Sequence, residues 1–257
     1  MILLLGGTSD SLLIAEQLSV LTQSFVISTT TEYGKNIANS RFKNQVICGK
    51  MTQEDLKAFC IQNKIKIIID STHPYAQVIS QNAIAVCKDR AMDYYRYERP
   101  LEDYEMEKKV IMCTTYEEAG DIVNKGVGNV LLTTGSKNVE KIVKAIEDRD
   151  RIYIRLLPTS QEIKKLEQLQ LKPKQIIGMQ GPFSLEMNLI MLEHIKAKYL
   201  ITKESGAVGK TKEKIQAALR SNVIPIVIKR PKLHYPTVYY TIDALMAVLK
   251  KELVEWD

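Results

Sequence analysis

The residues with most chemistry in this 257-residue chain stand where its apolar runs stop. Met1–Leu5 gives way at once to Gly6, Gly7, Thr8, Ser9 and Asp10, and an amphipathic stretch follows over 12–18. A buried strand that ends in glycines and leads into a helix lets the backbone approach a ligand closely. The free N–H groups of the first helical turn then attract phosphate. The turn lacks the full G-x-G-x-x-G, so by itself it also reads as a tight strand–helix turn that merely needs glycine. The next apolar run ends in Ser28, Thr29, Thr30 and Thr31, followed by Glu32, Tyr33 and Gly34. A dinucleotide-binding sheet usually places an acid there for the ribose 2′-OH. Hydroxyls in that place, with Lys35 or Arg41 in reach, suit a 2′-phosphate and favour NADPH. Glu32 could hold a free ribose instead, so NADH stays open. A third turn, Ser71-Thr72-His73-Pro74-Tyr75-Ala76, gathers hydroxyls, an imidazole and a phenol behind a proline that fixes its course.

The second half repeats the theme. Thr133-Thr134-Gly135-Ser136-Lys137 and Thr202-Lys203-Glu204-Ser205-Gly206 follow apolar runs and combine hydroxyls, glycine and lysine, and Arg155 ends a third run. These read as anion or ribose contacts. For proton transfer His73 and Tyr97 are the candidates; the competing reading of His73 is a helix-start residue bonded to backbone. The other histidines, His194 and His234, and the four cysteines at 48, 60, 87 and 113 are scattered, with no C-x-x-C or H-x-x-x-H spacing. They read as reduced, mostly buried thiols rather than a metal site or a disulfide framework.

The elements that must carry these turns alternate. Strands are expected at 1–5, 24–29, 45–48, 66–70 and 94–98, with helices at 10–21, 52–63 and 76–90 between them. Near-continuous apolar runs such as 66–69 are what a parallel sheet covered on both faces requires. The charged stretch 100–109, with Pro100, suggests a boundary. The alternation then restarts, with strands near 110, 129, 151, 175, 199 and 223, a short one at 238–240, and a closing helix at 242–253. Two α/β domains, 1–105 and 106–257, are therefore expected, with ligands beyond the C-terminal ends of the strands.

Totals narrow the function classes. No apolar run approaches the roughly 20 residues of a membrane span, and the first residues carry no basic leader, so a cytoplasmic protein is expected. The chain carries a net +6, placed unevenly: residues 1–105 hold 11 Lys+Arg against 12 Asp+Glu, and 106–257 hold 25 against 18. The second half is the expected receiver of an anion, although Lys-rich stretches such as 137–144 and 210–214 read as solvated helix faces. No recognition motif or interleaved basic–aromatic stretch supports nucleic-acid binding. A monomer or weak homo-oligomer is expected.

Seven segments taken in order, 2–10 (ILLLGGTSD), 70–76 (DSTHPYA), 95–100 (YRYERP), 131–137 (LLTTGSK), 155–158 (RLLP), 181–184 (GPFS) and 202–206 (TKESG), give the whole chain a resemblance. It resembles the precorrin-6A reductases of vitamin B12 biosynthesis, including those that act on cobalt-precorrin-6A. The resemblance implies two Rossmann-like domains with a reduced nicotinamide held in a cleft between them. It implies cofactor contacts at Gly6, Gly7, Thr8, Ser28, Thr29, Thr30, Thr72, His73, Pro74, Tyr75, Thr134, Gly135, Ser136, Lys203, Ser205 and Gly206. Arg99, Arg155 and Lys203 would meet the anionic tetrapyrrole. The chemistry implied is direct hydride transfer to the macrocycle, with a proton from His73, Tyr97 or water, and with no metal in the enzyme. Two other readings remain: another NAD(P)H-dependent reductase on the same scaffold, and a non-catalytic dinucleotide sensor.

Overall fold

The computed structural model describes residues 1–43, 45–100, 109–135, 137–205 and 210–254. They form two compact units: residues 1–100 with 231–257, and residues 101–230.

The first unit contains β1 (Ile2–Leu5), α1 (Ser9–Leu21), β2 (Phe25–Thr29), α2 (Glu32–Arg41), β3 (Val46–Cys48), α3 (Gln53–Gln62), β4 (Ile67–Asp70), α4 (Gln77–Arg90) and β5 (Asp93–Tyr97). It is completed from the far end of the chain by β12 (Val238–Tyr239) and α10 (Ile242–Val254). The strands are all parallel, in the order β3-β2-β1-β4-β5-β12. Successive residues of β1 serve opposite faces. Ile2 and Leu4 share a core with Ile14 and Leu18 of α1 and Leu245 and Leu249 of α10. Leu3 and Leu5 share another with Leu56 and Cys60 of α3 and Ala83 and Val86 of α4. A strand buried on both sides has no polar positions to spare, which is why it reads as a continuous apolar run.

The second unit contains β6 (Ile111–Cys113), α5 (Tyr116–Asn124), β7 (Asn129–Leu132), α6 (Val139–Ala145), β8 (Ile152–Leu156), α7 (Ser160–Gln168), β9 (Ile176–Gly178), α8 (Leu185–His194), β10 (Ala197–Lys203), α9 (Thr211–Arg220) and β11 (Ile224–Ile228). It is also wholly parallel, in the order β9-β8-β7-β10-β11-β6. Both sheets thus have the doubly wound order 3-2-1-4-5-6. They differ in where the sixth strand comes from. The strand that follows β5 in the chain joins the second sheet, and the strand that follows β11 joins the first.

This corrects the expected boundary. Residues 231–254 do not belong with a C-terminal domain running from 106 to 257. The Arg96 and Glu98 N–H groups donate to the carbonyls of Thr237 and Tyr239 at 2.9 Å each, and the Tyr95 hydroxyl donates to Glu252 of α10. A two-residue strand carries no pattern that says which sheet it completes. A second difference is α2, for which no helix was expected. Only Ala38 of that helix is buried, so it has no apolar stripe to read. Its signal is instead Thr31, whose side chain caps the helix by accepting from the Gly34 N–H at 3.1 Å. No helix among the described residues is long and apolar enough to cross a membrane.

Candidate functional site

In the 3-2-1-4-5-6 order the crevice lies between the first and fourth strands, where the winding reverses. In the first unit β1 and β4 meet there in register, Leu5 opposite Asp70, so the glycine turn and the turn after β4 are neighbours. The Gly6 N–H donates to the Ser28 carbonyl at 2.8 Å, and a Cβ on Gly6 would lie 3.0 Å from Ser11 Oγ and 3.2 Å from the Ser28 carbonyl oxygen. Gly7 has φ +98°, with open space where a Cβ would stand. Gly6 is thus required by packing and Gly7 by conformation. Thr8 caps α1: its hydroxyl accepts from the Ser11 N–H at 3.1 Å and donates to the Ser71 carbonyl at 2.9 Å, tying the two turns together.

A shallow depression opens here, lined by Thr8, Asp10, Ser71, Thr72, Pro74, Arg96, Tyr97 and Arg99. Beneath it lies a buried polar network. Arg96, 1% exposed, donates from Nη1 to Asp70 at 2.8 Å and to Thr72 Oγ1 at 3.1 Å, and from Nε to Glu98 at 2.7 Å. Thr72 Oγ1 donates to Asp70 at 2.7 Å, and the Tyr94 hydroxyl donates to the other Asp70 oxygen at 2.7 Å. Burial works against the Arg96 charge, but Asp70 and Glu98 outweigh it and hold its pKa above the ordinary value. Arg99 donates to the carboxylate of Asp10, in the first turn of α1.

Of the residues expected at this rim, Gly6, Gly7, Thr8, Thr72, His73, Pro74 and Tyr75 are brought together by β1 and β4. The His73 Nδ1 accepts from the Tyr75 N–H at 3.3 Å, which leaves Nε2 to carry the proton of the neutral ring. Tyr97 is half-buried, and burial followed by the nearby Asp10 raises its pKa. At the end of β2, Ser28 and Thr29 are buried while Thr30 is exposed. The Thr29 hydroxyl is turned to the carbonyls of Thr31 and Ile47, at 3.4 and 3.5 Å. Lys35 lies 3.8 Å from Glu32 and Arg41 3.4 Å from Glu16, so both candidate cations for a 2′-phosphate have acidic neighbours. The residues that sequence reasoning passed over are Asp10, Asp70, Ser71 and Arg96. Asp70, Ser71 and Arg96 lie within the segments 70–76 and 95–100, but nothing local says that Asp70 and Arg96 are partners.

The rim of the second unit is built on other terms. Arg155, at the end of β8, is 5% exposed. Its Nη1 donates to Asn188 Oδ1 at 2.8 Å, and its guanidinium carbon lies 3.9 Å from the centre of the Phe183 ring. No carboxylate pairs with it among the described residues, and burial pushes its pKa down to about 10. Lys203, at the end of β10, is pushed down to about 8 by burial and by Lys137. Lys214 of α9, not singled out from the sequence, is pushed down to about 8 by burial and by Arg155 and Lys203. Thr134 is buried and its hydroxyl donates to the Gly135 carbonyl at 3.3 Å; Gly135 has φ +73°. Ser205 Oγ and Thr211 Oγ1 are 2.9 Å apart, anchoring the turn after β10 to α9. Ser136 and Gly206 lie outside the described residues.

Two doubly wound parallel sheets, one with a glycine turn at its switch point, define a two-unit Rossmann-like α/β protein. The family model for "Precorrin-6x reductase CbiJ/CobK" matches residues 1–250, and the chain belongs to that family. It is 34% identical over 251 residues to the cobalt-precorrin-6A reductase of Priestia megaterium, covering 97% of this chain and 98% of that one. It is 36% identical over 247 residues to the cobalt-precorrin-6A reductase of Methanocaldococcus jannaschii, covering 95% and 96%. Among solved structures, a CobK precorrin-6A reductase superimposes with a TM-score of 0.77 at 18% identity, over 97% of this chain and 96% of that one, and so shares the fold.

Proposed function

We propose that this protein reduces one double bond of precorrin-6A, or of its cobalt-bearing form, with a reduced nicotinamide dinucleotide as hydride donor. The observation that carries the reading is full-length membership of a reductase family by a chain with an open glycine turn at the switch point of its first sheet. The relatives at 34% and 36% identity are both named for the cobalt-bearing substrate, which favours that form here.

The residues present fit a dinucleotide. Gly7 leaves open space beside the N-terminus of α1, and the first-turn amides there have no intrahelical acceptor by helix geometry. Gly6, Gly7 and Thr8 would hold the diphosphate, and the rim from His73 to Tyr75 would meet the neighbouring ribose. When bound, the reduced nicotinamide supplies the hydride. The chain supplies position, and for a polyanionic ring it supplies charge. In the second unit Arg155, Lys203 and Lys214 are cations held in partly buried positions, the state that a carboxylate would relieve. Tyr97 keeps its phenolic proton at neutral pH, and His73 holds a proton at Nε2; with water, these are the three sources for the proton that completes the reduction.

NADPH is the proposed cofactor, with Lys35 as the 2′-phosphate contact. Its pair with Glu32 is exposed and therefore weak enough to exchange. A free ribose hydroxyl would use Glu32 instead and make NADH the cofactor.

The test is anaerobic turnover of precorrin-6A and cobalt-precorrin-6A by the purified protein, followed by absorbance, with each nicotinamide in turn. Turnover of the cobalt form with NADPH is expected. Cofactor binding without any turnover would favour the sensor reading and sink this one.

A further inference from the structure

The turn after β4 carries two adjacent hydroxyls, and the structure separates their roles. A hydroxyl has one proton to donate and two lone pairs. Thr72 spends its proton on Asp70 at 2.7 Å and accepts from Arg96 at 3.1 Å, so it belongs to the buried network. Ser71 is 2% exposed, yet its Oγ has no hydrogen-bond partner among the described residues. An orphaned buried hydroxyl is costly and uncommon in a folded chain. Its backbone, by contrast, is fully engaged: its N–H donates to the Leu5 carbonyl at 3.0 Å, and its carbonyl accepts from Thr8 Oγ1 at 2.9 Å. Ser71 is therefore pinned directly beside the glycine turn, in the lining of the depression at the switch point.

We infer that Ser71, not Thr72, is the ligand-facing hydroxyl of this turn, and that it donates to an oxygen of the dinucleotide's diphosphate. Thr8, at the N-terminus of α1, and Ser71 line the same depression. The assignment rests on the nicotinamide-dependent reading above, and it names a contact that the T-H-P-Y segment alone does not suggest.

The experiment measures dissociation constants of the full-length protein and Ser71→Ala for NADH, NADPH and ADP-ribose, the last carrying the diphosphate without the nicotinamide. Thermal midpoints are recorded alongside. In Ser71→Ala the affinity for the preferred dinucleotide and for ADP-ribose should fall together by about tenfold, with no loss of Tm because no native bond is removed. Thr72→Val should instead lower the Tm by stripping Asp70 of a donor. If the wild type binds the dinucleotide and Ser71→Ala binds it equally well, the inference fails while the cofactor reading stands. Weaker dinucleotide binding with ADP-ribose unchanged would put the contact at the nicotinamide end and overturn the diphosphate assignment. A lowered Tm in Ser71→Ala would make the hydroxyl structural and also overturn it. If the wild type binds none of the three probes, the cofactor reading itself falls, and the inference with it.

Discussion

The two units share a strand order and differ in electrostatics. In the first, the buried charge at the rim is matched: Arg96 sits between Asp70 and Glu98, and Arg99 pairs with Asp10. In the second, Arg155 is held by an amide and an aromatic ring, and Lys203 and Lys214 have pKa values depressed by burial and by neighbouring cations. The totals run the same way: the first unit carries 14 Lys+Arg against 13 Asp+Glu, the second 22 against 17. A rim whose charges already have partners is suited to hold its own loops rigid around a ligand. A rim whose cations are held by burial and by one another is suited to receive an anion from outside. The difference teaches that one strand order can carry two rims of opposite electrostatic character, set by where each places its counter-charges.

The sharpest way to break this comparison is to make the same substitution at both arginines. Arg96→Met strands Asp70 and Glu98 and should cost about 3–5 kcal/mol of stability, because removing one partner of a buried ion pair leaves uncompensated charge. Arg155→Met strands no carboxylate, only the buried Asn188 amide oxygen, and should cost less, about 1–2 kcal/mol in urea unfolding. It should also raise the KM for the tetrapyrrole by about tenfold, the cost of one charge-assisted bond. Equal stability losses in the two variants would erase the distinction between the rims.

Gly7→Val tests the first rim from the backbone side. With φ +98° a β-branched residue there carries strain of roughly 1–3 kcal/mol, yet it meets no clash, so the fold should survive. The KM for the nicotinamide should rise about tenfold, the loss of one hydrogen bond to a charged group. Unchanged cofactor affinity would mean that the cradle lies elsewhere.

A pH series tests the second rim. Lys203 and Lys214 are charged below about 8 and neutral above it. The KM for an anionic substrate should therefore climb between pH 7 and 9. Stability should rise over the same range. The unfolded lysines keep their protons up to 10.5 while the folded ones lose them near 8, so the unfolded chain binds more protons in that window. The free energy of unfolding rises with pH across it. A KM that stays flat across this window while stability rises would show that these lysines do not control binding.

The smallest effect is expected at Lys35→Ala. Its exposed pair with Glu32 is worth less than about 1 kcal/mol, so stability should hardly change. The KM for NADPH should rise several-fold with that for NADH unmoved. A variant in which both or neither change removes Lys35 from the 2′ position.

Much of this was legible in the residues. The glycine turn, the hydroxyl-rich strand ends and the parallel α/β character all follow from short segments, because a strand covered on both faces must be apolar throughout, as β1 is, and a tight strand–helix turn needs glycine. The helix α2 escaped because an exposed helix buries too little to leave a periodic trace. Thr72 and Ser71 could not be told apart, since which hydroxyl is already bonded depends on Arg96, 24 residues away.

By itself, then, the sequence determined the strands, the turns, the family resemblance and the uneven charge, all properties of contiguous residues. The tertiary structure decided the rest. It sent residues 238–239 back to complete the first sheet, paired Asp10 with Arg99 across 89 positions, and left Arg155 without an acid among the described residues. Whether a charge is spent or available is a fact about neighbours in space, and chain order carries no record of it.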